Sequence, residues 1–151
     1  MVYTNIEVNR MKKILVKNQV EGGKVAFELL ESLTAGAQTL GLATGSSPIA
    51  LYQEMVESDV DFSELYSVNL DEYVGLSPEH DQSYHYFMND NLFNHVNINK
   101  ENVHVPDGIG FEAGEAGKAY EELMAKTGQV EIQLLGLGCN GHIGFNEPGA
   151  A

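Results

Sequence analysis

Short apolar runs of four or five residues alternate along this chain with longer segments whose apolar residues recur every three or four positions, with glycine or proline near most junctions. That alternation marks β-α-β units, whose strands lie parallel because each helix returns the chain to the same end of the sheet. Residues 13–16, 39–43, 67–70, 103–105 and 131–135 read as strands. Ala26, Leu29, Leu30 and Leu33 fall at i, i+3, i+4 and i+7, so they form one buried helix face, ended by Gly36. Further helices are predicted over 48–57, with Leu51, Tyr52, Met55 and Val56 inward, over 83–93, and over 115–127, stopped by Gly128. The fold class that follows is α/β: a Rossmann-like, open, mostly parallel sheet with helices on both faces.

A chain of 151 residues with 43% apolar side chains suffices for one domain that buries roughly two thirds of its unfolded surface. Residues 1–10 read as an extension ahead of a second candidate start at Met11, and residues 11–151 as the domain. The 22 acids against 8 bases, a net charge of -14, argue against nucleic acid or a membrane surface as partner. Cys139 is the single cysteine, so no intrachain disulfide forms and a reducing compartment is expected. No apolar run approaches the ~20 residues of a membrane span, and the N-terminus lacks the pattern of a secretory signal. A cytoplasmic protein is predicted.

Right-handed crossovers place the C-terminal ends of parallel strands on one edge, where open α/β sheets bind ligands. After the second predicted strand comes Ala43-Thr-Gly-Ser-Ser-Pro48. Gly45 allows a sharp turn, Ser46 or Ser47 can cap the next helix, and Pro48 suits its first position. Such a loop presents backbone N–H groups and hydroxyls that can hold a phosphate, although on its own the segment reads first as an ordinary capped connection. No Lys or Arg occurs between Lys24 and Lys100, so an anion here needs cations from elsewhere. The third strand runs into Asp71, an acid at a strand tip, where partial burial suits a carboxylate to proton transfer, although on its own it reads first as an acid that opens a turn. The fifth is followed by a glycine-rich loop that presents His142, with Asn140 and Glu147 near it. Gly136, Gly138 and Gly141 match the spacing of a dinucleotide fingerprint, but Gly144, Pro148 and Gly149 interrupt the helix that fingerprint requires. No nicotinamide or flavin site is therefore expected. Neither HExxH nor paired CxxC occurs, so no zinc site is expected either.

Together, Leu42-Ala-Thr-Gly-Ser-Ser-Pro48, Asn69-Leu-Asp-Glu-Tyr-Val-Gly-Leu76, Ser83-Tyr-His-Tyr-Phe87 and Asn140-Gly-His-Ile-Gly-Phe-Asn-Glu-Pro148 resemble the glucosamine-6-phosphate deaminase family. The resemblance spans residues 11–151. It implies conversion of glucosamine 6-phosphate and water into fructose 6-phosphate and ammonia, without cofactor or metal, on a small-molecule amino sugar phosphate. It implies that Asp71 moves a proton between sugar carbons two and one. His142 would open the ring, with Glu147 holding its imidazole and Asn140 beside it. Thr44, Gly45, Ser46 and Ser47 would cradle the phosphate, and Gly138 and Gly141 would approach the substrate.

Two departures qualify the resemblance. Some relatives carry Asp where this chain has Asn140, so Glu147 becomes the one nearby carboxylate for His142. Family chains also extend past this point, so the domain is expected to be truncated at its C-terminus, with weak substrate binding. Three other readings compete. A galactosamine-6-phosphate deaminase differs by one epimeric hydroxyl. A 6-phosphogluconolactonase-like hydrolase typically shows Asp-Glu-Arg where this chain has Asp71-Glu72-Tyr73, and lacks the run from Gly144 to Pro148. An inactive truncated sugar-phosphate binding module is the third. Oligomeric state is not readable from these residues.

Overall fold

Pairing, and not apolar content alone, decides which runs become strands. The computed structural model describes residues 12–34, 38–110 and 115–149. Helix α1 (Gln19–Thr34) leads to β1 (Thr39–Leu42), α2 (Ile49–Glu57) and β2 (Tyr66–Asn69). Next come α3 (Tyr84–Met88), prolonged by a π-helical turn over Asn89–Phe93, then β3 (Val103–His104), α4 (Glu115–Thr127) and β4 (Ile132–Gln133). The four strands form one sheet in the order β3-β2-β1-β4, with every pairing parallel. The chain thus steps from β1 to one side for β2 and β3, and returns to the other side for β4. That reversal opens a crevice between the C-terminal ends of β1 and β4, the place where open α/β sheets accept ligands.

Residues 13–16 are a correction to the sequence reading. They join no strand of the sheet, and Leu15 is 84% exposed. Apolar alternation can nominate a strand, but an unpaired stretch gains no ladder hydrogen bonds. The extension over residues 1–10 and the terminator Gly36 lie outside the described residues.

Alternate residues of β1 face opposite layers. Leu40 and Leu42 enter a core built from Leu30 of α1, Leu51, Tyr52 and Met55 of α2, and Met88, Leu92 and Phe93 from the α3 region. On the other face, Thr39 donates its hydroxyl to Thr127 O at the end of α4, 2.9 Å away. Helices therefore cover both faces, although α4 has no fully buried residue. The expected inward face of α2 is the observed one.

The face of α1 differs from the expected one. Leu30 is buried and Ala26 and Phe27 pack against the core, whereas Leu29 is 38% exposed. The cause is Gly23, where an added Cβ would lie 2.5 Å from the backbone carbon of Ala50. This glycine lets α1 and α2 touch backbone to backbone and rotates the contact face onto Gly23, Ala26, Phe27 and Leu30. Asn18 caps the helix by accepting from Glu21 N at 2.9 Å. Predicted strands 103–105 and 131–135 shorten to two residues each, yet Glu131 N and Leu134 N still donate to Thr39 O and Gly41 O. Among the described residues no helix is long and apolar enough to cross a membrane.

Candidate active site

The loop after β1 is fixed from below by Tyr52. Its fully buried phenol accepts from Ala43 N at 3.2 Å and donates to Ala43 O. Burial pushes that phenol well above its ordinary pKa, so it stays a neutral donor. The chain then turns at Gly45, whose φ of 89° suits glycine. Neither Ser46 nor Ser47 caps α2, contrary to expectation. Pro48 occupies the N-cap place and no side chain caps the helix, because both serines stand upstream of the position from which an oxygen reaches the second or third helical amide. Both serines are exposed. Gln19, at the start of α1, holds the loop by donating its side-chain amide to the carbonyls of Ser46 and Ser47.

Beside this loop, β2 ends at Asn69, whose side-chain amide donates to Leu42 O at 3.2 Å and ties the two strand tips together. Asp71 follows, half-buried. Desolvation and the neighbouring Glu72 charge push its carboxyl above the ordinary carboxylate range, while the Phe145 N–H pulls it back. Phe145 belongs to the glycine-rich loop after β4, and Gly144 comes close to Asp71 as well: a Cβ there would lie 3.0 Å from Asp71 Oδ2.

The same loop folds back on itself. Gly141 N donates to Gly138 O and Gly138 N donates to His142 O, each at 2.9 Å. The His142 ring lies against Gly138, where any Cβ would fall 2.2 Å from the ring. The carbonyl oxygen of Asn140 sits 2.6 Å from His142 Nδ1, and its amide donates to Glu147 Oε2, also at 2.6 Å. With the amide committed to Glu147, the Asn140 oxygen must face the imidazole, which places the proton on Nδ1 and leaves Nε2 as the lone-pair nitrogen. Glu147 Oε1 lies 3.6 Å from Nδ1, beyond a normal hydrogen bond. The carboxylate thus reaches the imidazole mainly through Asn140, not by the direct grip expected from sequence.

These three segments enclose a cavity of about 360 Å³ whose walls include Thr44, Gly45, Ser46, Ser47, Asp71, Gly138 and His142. Asn140, Gly141 and Glu147 are not among the lining residues; Gly141 shapes the loop, and Asn140, tied to Glu147, holds His142. Among the described residues no Lys or Arg lines the cavity.

Tyr84 is a wall residue to which the sequence reading gave no chemical role. Its phenol donates to Tyr73 Oη at 3.3 Å and shares a side-chain hydrogen bond with Thr44, and burial pushes its pKa up. Its ring contacts those of Tyr73 and Phe145, with centroids 4.9 and 5.7 Å away. An aromatic residue in an apolar helix pattern looks like core. Its place in Ser83-Tyr-His-Tyr-Phe87 is the sequence signal that distinguishes it.

The family model for glucosamine-6-phosphate isomerases/6-phosphogluconolactonase matches residues 21–144. The chain belongs to this family. It is 73% identical over 140 residues to the glucosamine-6-phosphate deaminase of Streptococcus thermophilus (strain ATCC BAA-491 / LMD-9), covering 92% of this chain and 59% of that protein. It is 56% identical over 142 residues to the protein of the same name from Streptococcus pyogenes serotype M49 (strain NZ131), again over 59% of the relative. The chain therefore spans about three fifths of the length of the curated relatives it matches. A solved monomeric glucosamine-6-phosphate deaminase superposes with a TM-score of 0.88 at 35% identity, over 93% of this chain and 61% of the other. A 6-phosphogluconolactonase from Thermotoga maritima superposes with a TM-score of 0.70 at 23% identity, over 87% of this chain and 61% of the other, a likeness of fold.

Proposed function

We propose that this chain carries the catalytic crevice of a glucosamine-6-phosphate deaminase. The observation that carries the reading is the shared cavity: Asp71 and His142, 71 positions apart in sequence, line one wall system with the Thr44–Ser47 loop. The relatives of highest identity given above bear that enzyme's name.

The chemistry asks for three things in one place. A loop of hydroxyls and backbone N–H groups holds the phosphate at Thr44, Gly45, Ser46 and Ser47. His142, with its Nδ1 proton directed at Asn140, presents a basic Nε2 that can take the anomeric hydroxyl proton as the ring opens, and the imidazolium can return a proton to the ring oxygen. Asp71 then removes the proton from carbon two of the open-chain sugar and delivers it to carbon one, passing through an enolamine as the carbonyl oxygen on carbon one takes up a proton and the amino group gives one up. The product is an imine at carbon two. Water adds there and ammonia leaves, giving fructose 6-phosphate, with no external oxidant or reductant required. Gly138 gives the ring of His142 its seat, and Gly141 closes the turn that delivers it. We place this activity in the cytoplasm, because a sugar phosphate carries charge that keeps it from crossing a bilayer unaided.

The test is to incubate the protein with glucosamine 6-phosphate and with galactosamine 6-phosphate in parallel, measuring ammonia and ketose phosphate together. Equal release of the two products from the glucosamine substrate supports the reading, and no release from either overturns it for this chain. Titration of the Gly45, Ser46 and Ser47 amide resonances with glucosamine 6-phosphate reports phosphate binding independently of turnover. Those resonances are expected to move first.

A further inference from the structure

Glu72 stands beside Asp71 in sequence but does not line the same cavity. Its side chain is 1% exposed, and a buried carboxylate without partners would be costly. This one has four. Oε1 accepts from Tyr73 N at 2.8 Å and Tyr84 N at 2.9 Å, while Oε2 accepts from His85 N and from His85 Nδ1, both at 3.0 Å. One carboxylate therefore closes the neck of the loop between the tip of β2 and the start of α3. On one side of that neck is Asp71, and on the other is Tyr84, which lines the cavity with it.

We propose that Glu72 is a positioning residue for Asp71, its buried carboxylate fixing the turn that presents Asp71 to the cavity opposite Tyr84. The proposal rests on the reading of Asp71 as the proton-transferring base. A merely structural tie could be made by any neutral acceptor. A fixed negative charge next to Asp71 also favours protonated over ionised Asp71, which raises the basicity of the group that must take a carbon-bound proton. Burial opposes ionisation of Glu72, but three backbone N–H groups and His85 outweigh it and hold its carboxyl below the ordinary range. Among the described residues, the other titratable groups lining the cavity with Asp71 are Tyr84 from α3 and Cys139 and His142 from the glycine-rich loop. Asp107, Tyr120 and Glu121, together with Glu72 itself, share a second cavity with Asp71 on the far side of the strand tip.

The experiment titrates the side-chain carboxyl ¹³C resonances of the whole unliganded chain. In the unaltered protein Glu72 is expected to ionise at lower pH than Asp71. In Glu72→Gln the Asp71 midpoint is expected to fall by about half a pH unit or more, the scale of one nearby screened charge. Glu72→Asp, which restores the charge one methylene short, is expected to bring the midpoint back towards that of the unaltered chain. A midpoint that holds or rises in folded Glu72→Gln overturns the proposal, as does a Glu72→Asp midpoint equal to that of Glu72→Gln. Should Glu72→Gln fail to fold, the order of ionisation in the unaltered chain decides, and Glu72 ionising after Asp71 overturns it. The titration needs no turnover, so a chain that passes it yet releases no ammonia refutes the substrate reading alone.

Discussion

The backbone N–H of Phe145 donates to the carboxylate of Asp71, joining the loop after β4 to the tip of β2 across the intervening β1. His142, three residues earlier on that loop, lines the same cavity as Asp71. The Phe145 contact also favours ionised Asp71 against the burial and the Glu72 charge that oppose it.

Asp71→Asn is expected to lower deamination by about 10²- to 10⁴-fold, the usual worth of a general base, with substrate affinity little changed. Steady-state ammonia release and an amide-shift titration separate the two effects. The same variant tests the ionisation of Asp71. A carboxyl raised in the folded state contributes stability below its unfolded pKa and loses it as pH rises through the folded pKa. The substituted amide does not ionise, so the variant is expected to gain in melting temperature relative to the parent as pH rises to neutrality. A gain that instead grows towards acid pH contradicts the assignment.

Gly138→Ala places a methyl where the His142 ring now lies, 2.2 Å from Cε1. The ring sits at the end of a side chain and can swing away, so the fold is expected to survive while the ring leaves its seat. Deamination should drop at least about tenfold, in line with the loss of a positioned acid-base group. The ring ¹H–¹³C resonances of His142 check the cause: unchanged shifts with lost activity would point elsewhere.

Tyr52→Phe leaves Ala43 N–H and C=O without their partner inside the core. The expected cost is about 1–3 kcal/mol, the range for buried polar groups left unsatisfied, read as a lower urea midpoint at constant slope. Because Ala43 begins the Thr44–Ser47 loop, phosphate-induced amide shifts there should also weaken.

Gly23→Ala would ordinarily strengthen a helix by about 1 kcal/mol. Here the added methyl meets the Ala50 backbone, which cannot swing aside. A net destabilisation of about 1–3 kcal/mol is expected from overpacking, and a variant as stable as the parent in urea would refute the close contact of α1 and α2.

Local order was readable from the residues themselves. The 3.6-residue period of Leu51, Tyr52 and Met55 names the buried face of α2, and the positive-φ glycines Gly45 and Gly128 mark the turns where the sequence reading placed them. Both depend on neighbours within a few positions. The sites of Thr44, Asp71 and His142 could be named as strand ends for the same reason. Tertiary structure alone decided that residues 13–16 pair with no strand, that Gly23 turns Leu29 outward, and that Asn140 stands between Glu147 and the imidazole. Each of these depends on which distant backbone comes close, through the strand order β3-β2-β1-β4 and the crossing of α1 over α2. A periodicity carries no information about such approaches, because the energy that selects them is shared between segments far apart in the chain.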